Sequence, residues 1–194
     1  LDFVSKKFQN MGMAVGKSVA LAGGAVGGFS LFESANFEAE LNKIEAVTKA
    51  TKKQTEELSD IAEKLNKKTQ FSGVQVLQGM KNLSMSEFEI PEIKAMIKPT
   101  IHLTGAAQLN SEIDLKTTSD IYSNIMTAFE IKSNEATNIA DKLAYAFSNA
   151  NMNFEELGMA MVNLSGLANN AGVSFEDSVA LLMSLSGSGI KGEV

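Results

Sequence analysis

The sequence has no cysteine, tryptophan or arginine, one histidine and two prolines in 194 residues. Without cysteine there are no disulfides, thiolate zinc sites or cysteine nucleophiles. A lone histidine, His102, rules out a multi-histidine metal centre and leaves any Ser-His-Asp triad to one residue. The net charge is −6, and all 17 basic residues are lysines. Duplex DNA recognition needs phosphate neutralisation and usually bidentate arginine contacts, so the composition argues against specific nucleic acid binding. With 44% hydrophobic residues the chain can nevertheless bury a sizeable core. Charge is uneven along it: 13 lysines face 12 acids up to residue 100, and 4 lysines face 11 acids beyond. No like-charge block forms a polyanionic tail.

Residues 11–32 carry a single charge, Lys17, and six glycines. Each glycine weakens an isolated helix by about 1 kcal/mol relative to alanine. Yet Gly12, Gly16, Ala20, Gly24 and Gly28 recur every fourth residue, and a helix would align them as one groove of small side chains. Gly23 and Gly27 lie beside it. Such a groove permits close helix–helix approach, and the length meets the minimum for a bilayer span. The segment reads as a helix packed on like helices in an oligomer, as a conditional membrane segment, or as a glycine-rich linker. It lacks the cleavage site of a signal peptide.

Residues 36–68 contain neither glycine nor proline and read as one long polar helix. Phe37, Leu41, Ile44, Thr48, Thr51, Thr55, Leu58, Ala62 and Leu65 step alternately by four and three, the spacing of a coiled-coil seam. Seven acids and seven lysines balance on the other faces. The three threonines weaken the centre of the seam, so this helix needs partners.

Residues 69–194 read as a compact all-helical domain. Capping boxes, in which a side-chain oxygen and a residue three positions on satisfy free amides, mark helix starts. Ser72 with Gln75 opens a helix over 73–83, and Asp114 precedes one near 116–130. Ser133 begins another to Asn149; Asn153 with Glu156 and Ser174 with Asp177 begin the last two. Between Ser86 and Ala106, Pro91 and Pro99 predict a short, broken stretch. The last three caps lie 20 and 21 residues apart, and Phe154-Glu155-Glu156, Leu164 and Ser165-Gly166 correspond to Phe175-Glu176-Asp177, Leu185 and Ser186-Gly187. This is a weak internal repeat of helix plus turn, and units of that kind stack because none buries its apolar face alone.

No catalytic constellation emerges. His102 lies between apolar neighbours and reads as structural. The pairs Glu56-Glu57, Glu155-Glu156 and Glu176-Asp177 are adjacent residues that diverge on a helix, and the latter two sit where acids favour helix N-termini. The glycine pairs lack the preceding strand and the lysine-serine ending of a phosphate loop. Met11, Met13, Met159, Met161 and Met183 read as core or interface filler. The chain is expected to be no enzyme and to hold no metal or cofactor.

Thr69-Gln70-Phe71-Ser72, then Met80, Leu83, Ile121 and Phe129, then Glu135-Ala136, Ile139-Ala140-Asp141 and Leu143-Ala144, resemble the core region of phage tail tape measure proteins. The resemblance continues through Gly172-Val173-Ser174-Phe175-Glu176-Asp177, Leu181-Leu182 and Leu185 to Gly189-Ile190-Lys191-Gly192, and the helix with Thr48, Thr51 and Thr55 looks like the lead-in. It covers roughly residues 36–194 and matches less closely over Ser86 to Ala106. Tape measure proteins are much longer and their pattern continues past Gly192, so the chain reads as a fragment. The resemblance implies a structural, mostly helical protein present in a few copies inside the tail tube, a trimer among the options. It also implies that protein length sets the number of tail rings and that the protein leaves ahead of the DNA and helps it cross the host envelope. Tail tube and tail tip proteins, assembly chaperones and, on ejection, the host membrane are its implied partners. Three parts follow: 1–35 glycine-rich, 36–68 coiled-coil-like and 69–194 core. The reading from another class is a membrane-active, pore-forming or effector protein built around residues 11–32.

Overall fold

The computed structural model describes residues 26–109 and 111–188, with side chains from Ala35 onward. Among these residues there are eight α-helices and no strand, so the chain is all-α. They are α1 (Val26–Thr48), α2 (Lys52–Asn66), α3 (Gly73–Met85), α4 (Ile90–Ala107), α5 (Leu115–Ala128), α6 (Ala136–Asn149), α7 (Phe154–Ala171) and α8 (Phe175–Gly187). A 3-10 turn, Ser133–Glu135, leads into α6.

Local chemistry sets most of these boundaries. The hydroxyls of Ser72 and Ser174 and the side-chain oxygens of Asp114 and Asn153 each accept the backbone N–H three residues on. Each satisfies an amide that the first turn leaves without a partner. At the end of α7, Gly172 has φ +68°, where a side chain would be strained, and Val173 N–H closes the turn onto Ala168 O at 2.8 Å.

Two sequence expectations are corrected. Residues 36–68 are not one helix: α1 stops at Thr48, Lys49 adopts φ 53°, and α2 begins after Thr51. The break is stabilised by a capping box, with Gln54 N–H bonded to Thr51 Oγ1 at 3.3 Å and Thr51 N–H bonded to Gln54 Oε1 at 2.9 Å. The stretch with two prolines is not short or broken either; it is the 18-residue helix α4. Pro91 sits in the first turn, where no N–H is needed. Pro99 is interior, but Ala95, whose carbonyl it deprives of a helical donor, is exposed and open to water.

The helices form two layers. Substantial packing is confined to first and second neighbours in sequence: α1 on α3, α3 on α5 and α5 on α7 make one layer; α2 on α4, α4 on α6 and α6 on α8 make the other. All consecutive helices except α5 and α6 also pack substantially across the layers, and a continuous core from Phe37 to Leu182 runs between them. This is the connectivity of a helical solenoid, in which each unit touches only its neighbours. Backbone approach in the first layer is close at glycine. A Cβ on Gly158 of α7 would stand 2.2 Å from Ile121 Cγ2 of α5, and one on Gly73 of α3 would stand 2.8 Å from Phe37 Cε2 of α1. Gly79 of α3 likewise lies under Ser119 and Leu115 of α5.

The repeated residues occupy equivalent places. Phe154 and Phe175 are both buried at the first position of their helices. Ser165 and Ser186 are both buried, and each donates to the carbonyl three residues back, at 2.7 and 2.8 Å. Leu164 and Leu185 are both half-buried.

Candidate functional site

The groups that could carry chemistry are dispersed and tied down. His102, expected to be structural, is exposed on α4: helical geometry turns it away while Ile101, Leu103 and Thr104 are buried. Glu57 on α2 pairs with Lys94 on α4 at 2.8 Å, and Glu176 on α8 pairs with Lys142 on α6 at 2.6 Å. In both, the lysine's hydrogen bond is the main reason that the carboxyl lies below its ordinary range. Asp114 is lowered by the Thr117 N–H that it caps. A general acid at neutral pH needs the opposite shift, so these groups suit ion pairing and capping. Glu156 accepts Asn153 N–H at 2.9 Å, and Asp177 accepts the Ser174 hydroxyl at 2.7 Å. Burial pushes the Tyr122 phenol up, and its hydroxyl donates to Ala136 O, clamping α5 to the start of α6. Among the described residues, no three acidic or histidine side chains gather where a metal ion could sit.

The seam residues divide between two helices. Phe37, Leu41 and Ile44 are buried on α1, and Leu58 and Ala62 on α2, all in the core of the body they belong to. Leu65 is half-buried. Thr48 Oγ1 bonds back to Ile44 O at 2.8 Å, Thr51 caps α2, and Thr55 Oγ1 bonds back to Thr51 O at 3.2 Å. Of the glycine groove, Gly12, Gly16, Ala20 and Gly24 lie outside the described residues, as do Met11 and Met13, whereas Gly28 falls in the first turn of α1. No helix among the described residues is long and apolar enough to cross a membrane. Met161 is fully buried, Met183 half-buried and Met159 59% exposed.

Sequence reasoning missed Glu40, a buried carboxylate between α1 and α3 that pairs with Lys43 at 2.8 Å and lies 3.7 Å from Lys81. Its only trace in the sequence is its place beside Leu41 on the buried side of α1. The sequence also does not mark the surface. Met159, Val162 and Leu167 of α7, Val173 of the following turn and Leu181 of α8 are exposed large apolar side chains. Beside them, Tyr145 on α6 borders an open groove against Phe175, Val179 and Met183 of α8. Residues 143–188 contain four acids and no lysine. The arrangement therefore offers packing surface and negative charge, as a structural component requires.

The same body of helices carries the likeness to known proteins. Residues 59–194 match the model of a family described as phage-related minor tail protein. A tape measure protein of Pneumococcus phage Dp-1 is 28% identical over 156 residues, which are 80% of this chain and 13% of that protein. No solved structure matches the chain. With the family's match running from α2 through α8, the chain belongs to the phage-related minor tail protein family, the family of tape measure-related proteins of phage tails.

Proposed function

We propose that the chain is a structural segment of a tape measure protein, held in the interior of the tail tube, which sets tail length during assembly. The observation that carries this reading is the open two-layer stack. A body whose helices touch only near neighbours grows along one axis as residues are added, and a ruler needs length that follows residue number. Self-association in a few copies and contact with tail tube proteins, tail tip proteins and assembly chaperones belong to this role, with assembly in the host cytoplasm. Residues 69–194 act as its core and residues 36–68 as the lead-in packed on it.

Tail length measured by electron microscopy tests the proposal. Four further in-frame copies of residues 153–188 should lengthen tails by about 216 Å if the added chain runs as one extended helix, or by about 40 Å if it adds helix pairs to the stack. Tails of unchanged length, from particles that still assemble, would overturn the length-setting role.

The proposal assigns residues 1–35 to passage of the genome across the host envelope. The support is in the sequence: a long run with one charge and a periodic groove of small residues, Gly12, Gly16, Ala20, Gly24 and Gly28, suited to a bundle that later enters lipid. A peptide of residues 1–35 should partition into liposomes, and failure to do so removes this part of the proposal.

A further inference from the structure

The join between α1 and α2 differs from its counterparts. Each first-layer helix is followed by a residue of positive φ: Lys49 after α1, Glu87 after α3, Glu130 after α5 and Gly172 after α7. Beyond Glu87, Pro91 bars α3 from continuing into α4. Beyond α5 the chain runs from Phe129 through the 3-10 turn to Glu135 before α6 begins, and at Gly172 the residue itself favours the left-handed turn. Among these four joins, only Lys49-Ala50-Thr51 is both short and free of glycine and proline, and its lysine is held at φ 53°, where a side chain is strained. The apolar steps of four and three also stay in phase across it, from Leu41 and Ile44 through Thr48, Thr51 and Thr55 to Leu58 and Ala62. Two helices folded back on each other each need their own stripe but no common phase; one continuous helix does need it. The folded-back form carries a further cost between α1 and α3. Glu40 is buried there, and its Oε2, 3.7 Å from Lys81 Nζ, accepts no hydrogen bond from the described residues.

We propose that α1 is a hinged arm: it leaves α3, the Lys49–Thr51 join becomes helical, and α1 runs on into α2 as one straight helix. In the folded-back form Phe37 and Ala62 meet at Gly73, where a Cβ would stand 2.8 Å from Phe37 Cε2 and 4.0 Å from Ala62 O. In the straight form the same two residues lie about 38 Å apart. Straightening moves Lys49 out of the left-handed region and gives the Glu40 carboxylate water. It also makes Phe37, Leu41 and Ile44 accessible, whereas α2 keeps its packing on α3 and α4. The hinge is independent of the role in tail length and is tested apart from it.

Because the chain has no cysteine, Leu41→Cys gives a unique thiol, buried while the arm is folded back. In the full chain it should react with a maleimide by opening of the arm, faster than an Ile125→Cys thiol in α5, which α1 does not cover. Adding Lys49→Gly relaxes the turn and weakens the straight helix, and should slow labelling of Leu41→Cys by about tenfold. Adding Thr51→Ala removes the cap of α2 and favours a continuous helix, and should speed labelling by about fivefold. The backbone amides of residues 40–47 should stay protected from hydrogen exchange while the thiol reacts, because the arm remains helical as it leaves. Labelling no faster than that of Ile125→Cys, or unchanged by Lys49→Gly, overturns the proposal. So does exchange of those amides in step with labelling, which would mean that α1 frays instead of swinging. If the Leu41→Cys chain does not fold by circular dichroism, Ile44→Cys carries the thiol and is read in the same way.

Discussion

At Gly158 the backbones of α5 and α7 approach so closely that a methyl group would meet Ile121 Cγ2 at 2.2 Å. Two effects of a Gly158→Ala substitution oppose each other. Alanine favours the helix by about 1 kcal/mol over glycine, whereas forcing a methylene into a packed contact costs about 1–3 kcal/mol. The obstructing atom is on a β-branched side chain with little rotamer freedom, so the steric cost prevails and Gly158→Ala should destabilise the chain by about 1 kcal/mol. Removing the obstruction should reverse the sign. In the Ile121→Ala background the same substitution should be stabilising, giving a coupling of more than about 1 kcal/mol in a double-mutant cycle read by urea unfolding. Additive effects would mean that this contact does not set the α5–α7 spacing.

At the scale of elements, Thr51 distinguishes a helix start from a helix interior. Were residues 36–68 continuous, Thr51→Ala would stabilise the chain, because alanine is the better helix former. As the N-cap of α2, Thr51 instead satisfies Gln54 N–H, and its loss should cost about 1 kcal/mol in thermal or urea unfolding. The sign alone decides. The same signature was legible at Ser72, Asn153 and Ser174, and it placed α3, α7 and α8 correctly. At Thr51 it was hidden because the alternating steps of four and three run unbroken through Thr48, Thr51 and Thr55. Periodicity reports which residues face the core but not whether the chain turns between them. Helix α4 was obscured for the opposite reason. Its prolines read as breakers, but one falls in the first turn and the other leaves its orphaned carbonyl at an exposed residue. The apolar neighbours of His102 say nothing of its own exposure, because adjacent residues on a helix point to different sides. Which helices lie on which is settled by packing across the layers, and the spacing of the last three caps was its only local sign. Nor does the sequence mark the exposed apolar side chains of α7, since Met159 reads as core or interface filler alike.

For the whole molecule, packing restricted to near neighbours implies stability that varies along the stack. In a protein with one enclosed core every element loses its support together, and the slowest amides share one opening. Here α3 is packed by α1, α2, α4 and α5, whereas α8 rests mainly on α6 and α7, with Phe175 also edge-on to Phe129 at the end of α5. Opening α8 uncovers Phe175, Val179 and Leu182 and frees Phe129 from Phe175, but leaves the contacts of α1 through α5 with one another in place. The cost of fraying is then roughly one interface term, well below the cost of global unfolding. Native-state hydrogen exchange should therefore show slowest exchange in α3, α4 and α5, with protection falling toward α7 and α8, and the α8 amides should exchange with a small dependence on denaturant. Leu182→Ala should raise exchange in α8 and α7 while leaving the slowest amides of α3 nearly unchanged. Equal acceleration of all protected amides would mean that the helices form one cooperative unit, and the layered contacts would then describe geometry without governing stability. A graded result would tie the fold to its proposed use, because a chain that stores stability interface by interface can be lengthened one helix at a time without redesigning the rest.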